Sequence, residues 1–72
     1  MKSNEWDKGT TIDVERLGKC VVYYRMVNVE FYQFKIKHGF TVVIGEPSYS
    51  NITALDNAFL ELKKKFKSIF DD

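Results

Sequence analysis

The sequence predicts an α+β domain in which an antiparallel meander of three or four strands packs on one long C-terminal helix. Between Asn51 and Phe70, large apolar residues recur three and four positions apart, which is the spacing of one helix face. From about residue 10 to residue 46, runs of β-forming residues are separated by Gly18, Asn28 and Gly39, and Pro47 follows the last run. Because a helix of this length gains most of its stability from tertiary packing, its apolar face needs the sheet as a partner.

The chain has 72 residues, of which 44% are hydrophobic, so it can bury one small core. We expect a single domain over residues 1–72, flexible over 1–9, with the sheet at about 10–46 and the helix at about 51–70. The single cysteine, Cys20, excludes an internal disulfide. No apolar run reaches the ~18–20 residues of a membrane span, so we expect a cytoplasmic protein without a membrane partner. The frequent Lys, Asn, Ile, Phe and Tyr are typical of AT-rich genomes such as those of some bacteria and phages.

The helix has a predicted apolar stripe and a predicted beginning. Its stripe comprises Ile52, Leu55, Phe59, Leu62, Phe66 and Ile69. Ser50 or Asn51 can supply the N-cap oxygen, and Pro47 lies just before it. Lysines crowd the C-terminal half, where the helix dipole favours cations.

Four β-forming runs precede the helix. We expect the first strand around residues 11–15, the second over 20–27, the third over 30–37 and the fourth over 41–45. Trp6 is the one large apolar residue of the first nine. It either belongs to a frayed terminus or folds back over one end of the core.

Strand register follows from matching the apolar faces of neighbouring strands. A three-residue loop at Asn28-Val29-Glu30 pairs Met26 with Tyr32, Tyr24 with Phe34 and Val22 with Ile36, whereas an even loop would swap the faces of the second strand. A three-residue loop at His38-Gly39-Phe40 pairs Ile36 with Val42 and Phe34 with Ile44. We prefer it to a two-residue loop at His38-Gly39, which mixes polar and apolar faces.

Catalysis is not expected from this sequence. The only histidine, His38, falls in a predicted turn, and Cys20 falls in a strand, where a small buried side chain is the commoner role. Asp13 and Glu15 could share a strand region, but no further ligand converges on them, and no glycine-rich phosphate loop precedes the helix. We therefore expect no enzyme activity, cofactor, metal or small-molecule substrate.

The more informative feature is the sheet face turned away from the helix, which we call the outer face. With the preferred registers it carries cations, aromatic rings and an amide: Lys19, Val21, Tyr23, Arg25, Phe31, Gln33, Lys35, Lys37, Thr41 and Val43. Rings can stack on bases and cations can neutralise phosphates, as on other open sheet faces that bind single strands, and small sheets also enter duplex grooves. The sequence thus favours a non-catalytic module that binds nucleic acid through Lys19, Tyr23, Arg25, Phe31, Gln33, Lys35 and Lys37.

Two other interpretations remain open. Exposed strands often carry Lys, Arg, Thr and Gln only for solubility. Alternatively, Val21, Phe31 and Val43 on this face, with Leu60 on the helix flank, favour a protein contact. The chain would then be a protein-binding, regulatory or inhibitor-type module, or a homodimer.

Overall fold

The computed structural model describes residues 6–71 and confirms the predicted α+β architecture. Within these residues, four strands form one antiparallel sheet in the order β1-β2-β3-β4, and two helical segments follow. The elements are β1 (Asp7–Val14), β2 (Gly18–Val27), β3 (Phe31–His38), β4 (Thr41–Ile44), α1 (Asn51–Lys65) and α2 (Lys67–Phe70). The helix α1 lies over β3 and β4, on what we call the inner face of the sheet.

The register between β2 and β3 is the predicted one. Val22 pairs with Ile36, Tyr24 with Phe34 and Met26 with Tyr32. The loop is the predicted Asn28-Val29-Glu30, in which both Asn28 (φ 55°) and Val29 (φ 64°) are left-handed. Asn tolerates this conformation, but a β-branched residue such as valine adopts it only at a cost in free energy.

The predicted register between β3 and β4 is wrong. His38 pairs with Thr41, so the turn is the two-residue Gly39-Phe40 rather than a three-residue loop, and Ile36 pairs with Val43. Gly39 has φ 61° at the first turn position, where a type II′ turn requires glycine. The shift of one residue reverses the faces of β4.

This reversal changes two residues of the predicted outer surface. Val43, expected on the outer face, is buried in the core, and Thr41 shares its inner side. Val42 and Ile44, expected inside, lie on the outer face and are 45% and 49% exposed. Three consecutive residues of β4 are apolar, so this strand shows no alternation of polar and apolar residues. Without that alternation, the sequence could not distinguish the two registers.

The helix begins at Ser50, one of the two predicted cap residues, and breaks before its predicted end. The Ser50 hydroxyl accepts a hydrogen bond from the Thr53 amide at 3.3 Å. Phe66, at φ −112° and ψ 45°, interrupts the helical geometry and separates α1 from α2. Arg16, from the turn between β1 and β2, donates to the Ile69 carbonyl at 2.9 Å and so ties α2 to the sheet.

The core lies between α1 and the central strands. Its buried side chains are Cys20, Val22, Ile36, Val43, Ala58 and Leu62, with Phe34, Leu55, Phe59 and Phe66 packed around them. Four members of the predicted helix stripe therefore pack on the core, whereas Ile52 is 72% exposed and does not. The line of closest approach runs through Ala54, Ala58 and Leu62 instead.

Gly45 explains why small residues occupy that line. A β-carbon at Gly45 would lie 2.4 Å from the Ala58 amide nitrogen and 2.7 Å from the Ala58 α-carbon. The helix backbone thus rests almost directly on the end of the sheet, which only glycine permits.

β1 begins at Asp7, before the expected start of the sheet at residue 10. Gly9 is the extra residue of a β-bulge, since the pairing with β2 shifts between Lys8 and Thr10. Trp6, directly before the strand, contacts outer-face cations rather than an end of the core. The flexibility expected for residues 1–5 falls outside the described residues. Over residues 6–71, neither helix has the length and apolar character needed to cross a bilayer.

Candidate functional site

The outer face is the side of the sheet that α1 does not cover, and the strand pairings define its members. All seven predicted binding residues lie on it: Lys19, Tyr23, Arg25, Phe31, Gln33, Lys35 and Lys37. The same pairings add Lys8, Thr11 and Asp13 from β1, and Val42 and Ile44 from β4. The structure therefore brings the predicted residues together on two adjacent central strands.

Two aromatic rings and two cations form a compact cluster at the middle of this face. The Arg25 guanidinium carbon lies 4.3 Å from the centre of the Trp6 ring. The Lys35 ammonium lies 4.9 Å from the Trp6 ring and 4.7 Å from the Tyr23 ring, so both rings contact it. Each contact of this kind contributes about 0.5–1 kcal/mol at an exposed site. We call these four residues the ring–cation cluster.

Gln33 orients one member of this cluster. The Arg25 Nε donates to the Gln33 side-chain oxygen at 3.0 Å, and the Gln33 amide nitrogen donates to the Gly45 carbonyl at 3.0 Å. This chain of hydrogen bonds links β2, β3 and the residue that follows β4. Both polar atoms of the Gln33 side chain, which is predicted to contact a ligand, therefore have hydrogen-bond partners within the protein, and one of these bonds orients Arg25.

A second aromatic pair lies at one end of the outer face. The Phe31 and Tyr49 rings are 4.4 Å apart between centroids and inclined by 37°. Backbone hydrogen bonds between Tyr32 and Ser48, 2.7 and 2.9 Å long, hold the segment that carries Tyr49 beside β3. Tyr49 itself remains exposed, so this pair presents ring surface to solvent.

The outer face is strongly cationic. The part of it that the structure describes carries five basic residues and one carboxylate: Lys8, Lys19, Arg25, Lys35 and Lys37 against Asp13. The whole chain has a net charge of only +1. The uneven distribution therefore concentrates positive potential on one surface.

Trp6 and Lys8 were not among the predicted binding residues because residues 1–9 were expected to be flexible, and alternation that ignores the bulge would have placed them on the wrong face in any case. Thr11 and Asp13 are outer-face residues at odd positions, so simple alternation would place Trp6 and Lys8 on the opposite face. The extra residue Gly9 reverses that parity. An isolated glycine within a strand pattern is the available signal for such a bulge.

His38 and Cys20, the two side chains considered above for catalysis, both have contacts within the protein. His38 is the last residue of β3 and not a turn residue, which corrects the prediction; it packs edge-on against Phe66 at 5.2 Å. Its Nε2 lies 3.0 Å from the Leu17 carbonyl, so this nitrogen donates. Burial, with Asp13 as a lesser cause, raises the pKa of the Cys20 thiol.

Within residues 6–71, no three His, Cys, Asp or Glu side chains lie close enough together to hold a metal ion.

Comparison with known proteins adds no functional assignment. The chain matches no protein-family model, no curated protein and no solved structure.

Proposed function

We propose that this protein binds single-stranded nucleic acid through the outer face of its sheet. The observation that carries the proposal is the ring–cation cluster, in which Trp6 and Tyr23 lie within 5 Å of Arg25 or Lys35. A base needs an aromatic surface for stacking, and its phosphate needs a nearby cation. The cluster offers both within the dimensions of one nucleotide.

The remaining outer-face residues extend this site along β2 and β3. Lys19 and Lys37 are exposed and flank the cluster toward one end of the strands, where they can pair with phosphates. Phe31 and Tyr49 lie toward the other end and offer a second stacking surface. The proposed path of the strand thus runs along the central strands, with cations and rings in succession.

A single strand suits this face better than a duplex groove. Duplex bases are read by side chains that carry hydrogen-bond donors and acceptors to the base edges. The centre of the outer face instead presents rings, and Gln33 already donates to a backbone carbonyl. Stacking on rings requires unpaired bases, which single strands provide.

Fluorescence anisotropy with a labelled oligothymidine at low salt tests the proposal. If all five outer-face cations contact phosphates, the logarithm of the affinity should fall against the logarithm of salt with a slope no steeper than about −3.5, since each phosphate contributes about −0.7. Tyr23→Ala and Trp6→Ala should each weaken binding by about 1–3 kcal/mol. Absence of binding at tens of micromolar protein would end the nucleic-acid hypothesis.

A matched pair of charge variants locates the site. Lys19→Gln/Lys37→Gln removes two outer-face cations, and Lys63→Gln/Lys65→Gln removes two cations from α1. Both variants have the same net charge, so a difference between them reports position and not overall charge. We expect the first to lower the affinity and flatten the salt slope by about 1.4, and the second to change both much less. Equal effects would contradict a site on the sheet.

A further inference from the structure

The two edges of the sheet differ in how they are protected from other strands. β1 carries the charged residues Asp7, Lys8 and Asp13 and the Gly9 bulge, which are common devices against edge-to-edge pairing. β4, with the sequence Thr-Val-Val-Ile, has no charge and no bulge in its pairing with β3. Its outer-face side chains Val42 and Ile44 are about half exposed. The edge formed by β4 is short, but it lacks the charges and the bulge that protect the β1 edge.

The backbone of β4 offers hydrogen-bonding groups to this edge. Gly45 donates its amide to the Phe34 carbonyl, and Val43 pairs with Ile36, so the odd-numbered residues bond toward β3. Alternate residues of an antiparallel strand direct their N–H and C=O groups to opposite sides. Val42 and Ile44 thus direct theirs away from the sheet.

We propose that β4 is a dimer interface, at which two copies of this chain pair antiparallel about a two-fold axis through Val43. In this register Val42 lies opposite Ile44 of the second copy, and each pair exchanges two backbone hydrogen bonds. The two sheets become one continuous sheet of eight strands. The apolar side chains on the outer face meet each other, and no charged residue of either β4 is brought against the other.

Self-complementarity is the reason for choosing a second copy as the occupant. Val42 and Ile44 are two residues apart, and both direct their backbone hydrogen-bonding groups away from β3. A two-fold axis midway between them pairs Val42 with Ile44 of the second copy, and Ile44 with its Val42, so the same two residues of each chain provide all the partners. Neighbouring strands of a sheet are spaced by about 4.8 Å, and because α1 contacts β3 as well as β4, the two α1 helices lie on the same side of the joined sheet, one on each side of the new seam. The flank of α1 on the β4 side carries Asn57 and Glu61, and Lys64 lies 3.4 Å from Glu61 as a counter-charge.

The extent of the pairing is limited. The Glu46 carbonyl accepts a hydrogen bond from the Asn57 side chain at 3.0 Å, so it is turned toward α1. Pro47 follows and has no amide proton. The ladder between copies therefore ends beyond Ile44. The contact between two such short strands is smaller than the interfaces of permanent dimers. We therefore expect a dimer that dissociates on dilution.

Sedimentation velocity from about 5 to 500 µM protein, without nucleic acid, tests the proposal, since a weak dimer forms over such a range. The expected result is a shift from the 8.4 kDa monomer to twice that mass. Val42→Lys should abolish the shift, because it places two cations in the interface. Leu60→Lys, which makes the same charge change on an exposed helix position, should retain it. A monomer at every concentration, or a dimer that survives Val42→Lys, would overturn the proposal.

Amide exchange of the unmodified protein provides a measurement that needs no variant. The Val42 and Ile44 amides should become protected as the concentration rises, whereas the amides of the β1 edge should not. If β1 amides gain protection and those of β4 do not, the interface lies elsewhere. Because neither measurement involves an oligonucleotide, both are independent of the proposed binding of nucleic acid.

Discussion

Replacement of Gly45 by alanine tests how closely α1 rests on the sheet. The added β-carbon would lie 2.4 Å from the Ala58 nitrogen, 2.7 Å from its α-carbon and 2.8 Å from the Asn57 carbonyl carbon. These are backbone atoms, so no side-chain rotation relieves the overlap, and the helix must move by about 1 Å to restore ordinary contact distances. Overpacking of this kind costs typically 1–3 kcal/mol, and we expect about 3 because a whole element moves.

Urea unfolding followed by circular dichroism measures this loss. For a domain of this size, 3 kcal/mol corresponds to a fall in Tm of roughly 12–24 °C. Glu46→Ala is the matched control, because its side chain is exposed and its loss should change the free energy of unfolding by less than about 0.5 kcal/mol. Ala58→Gly should not rescue Gly45→Ala, since the clash involves backbone atoms. A Gly45→Ala protein that melts within 3 °C of the original, about 0.5 kcal/mol or less, would refute the close approach.

Three further predictions concern the turn, the helix and the buried thiol. Val29→Gly should stabilise the protein by about 0.5–1 kcal/mol by thermal unfolding, because Val29 is 86% exposed at φ 64°, while Val29→Ala, which keeps the β-carbon, should gain less. Leu62→Ala should cost about 2–5 kcal/mol in urea unfolding and the exposed Ile52→Ala less than about 0.5, and equal costs would show that the helix is rotated from its observed position. Burial raises the Cys20 pKa from its usual 9.0, so the folded state keeps the thiol proton to higher pH than the unfolded chain. Its contribution to stability is complete below pH 9.0 and is lost as the pH rises further, and a Cys20→Ala variant titrated alongside should lack this component.

The parts of the fold that the sequence predicts well are those with strict alternation. In β3, Tyr32, Phe34 and Ile36 alternate with polar residues, and a one-residue slip would bury lysines. That energetic difference is large enough to determine the register with β2, and with it the placement of the seven predicted binding residues on one face. The helix is predicted well for a similar reason. Apolar residues that recur three and four positions apart fall on one face of a helix but not on one face of a strand.

The β4 register was wrong because both of its alternatives bury valine or isoleucine. The apolar run from Val42 to Ile44 makes the two faces nearly equivalent in burial, so turn geometry decides. A glycine followed by an exposed phenylalanine, Gly39-Phe40, fits a two-residue type II′ turn without any strain. Ala54 and Ala58 were missed for a different reason, since a stripe drawn through large side chains ignores small ones that allow close packing.

The apolar residues on both faces of β4 also bear on the proposed dimer. A strand that needs only one apolar face to complete the core would be expected to carry polar residues at positions 42 and 44, as β2 and β3 do with Arg25 and Lys35. Apolar residues at both positions add little to the folded monomer, because they remain about half exposed. Pairing between two copies gives them a contact, and it also joins two cationic outer faces into one surface on the same side of the larger sheet. A nucleic-acid strand long enough to contact both faces would then bind the dimer more tightly than the monomer. By reciprocity it would also favour dimerisation, whereas an oligonucleotide confined to one face would not.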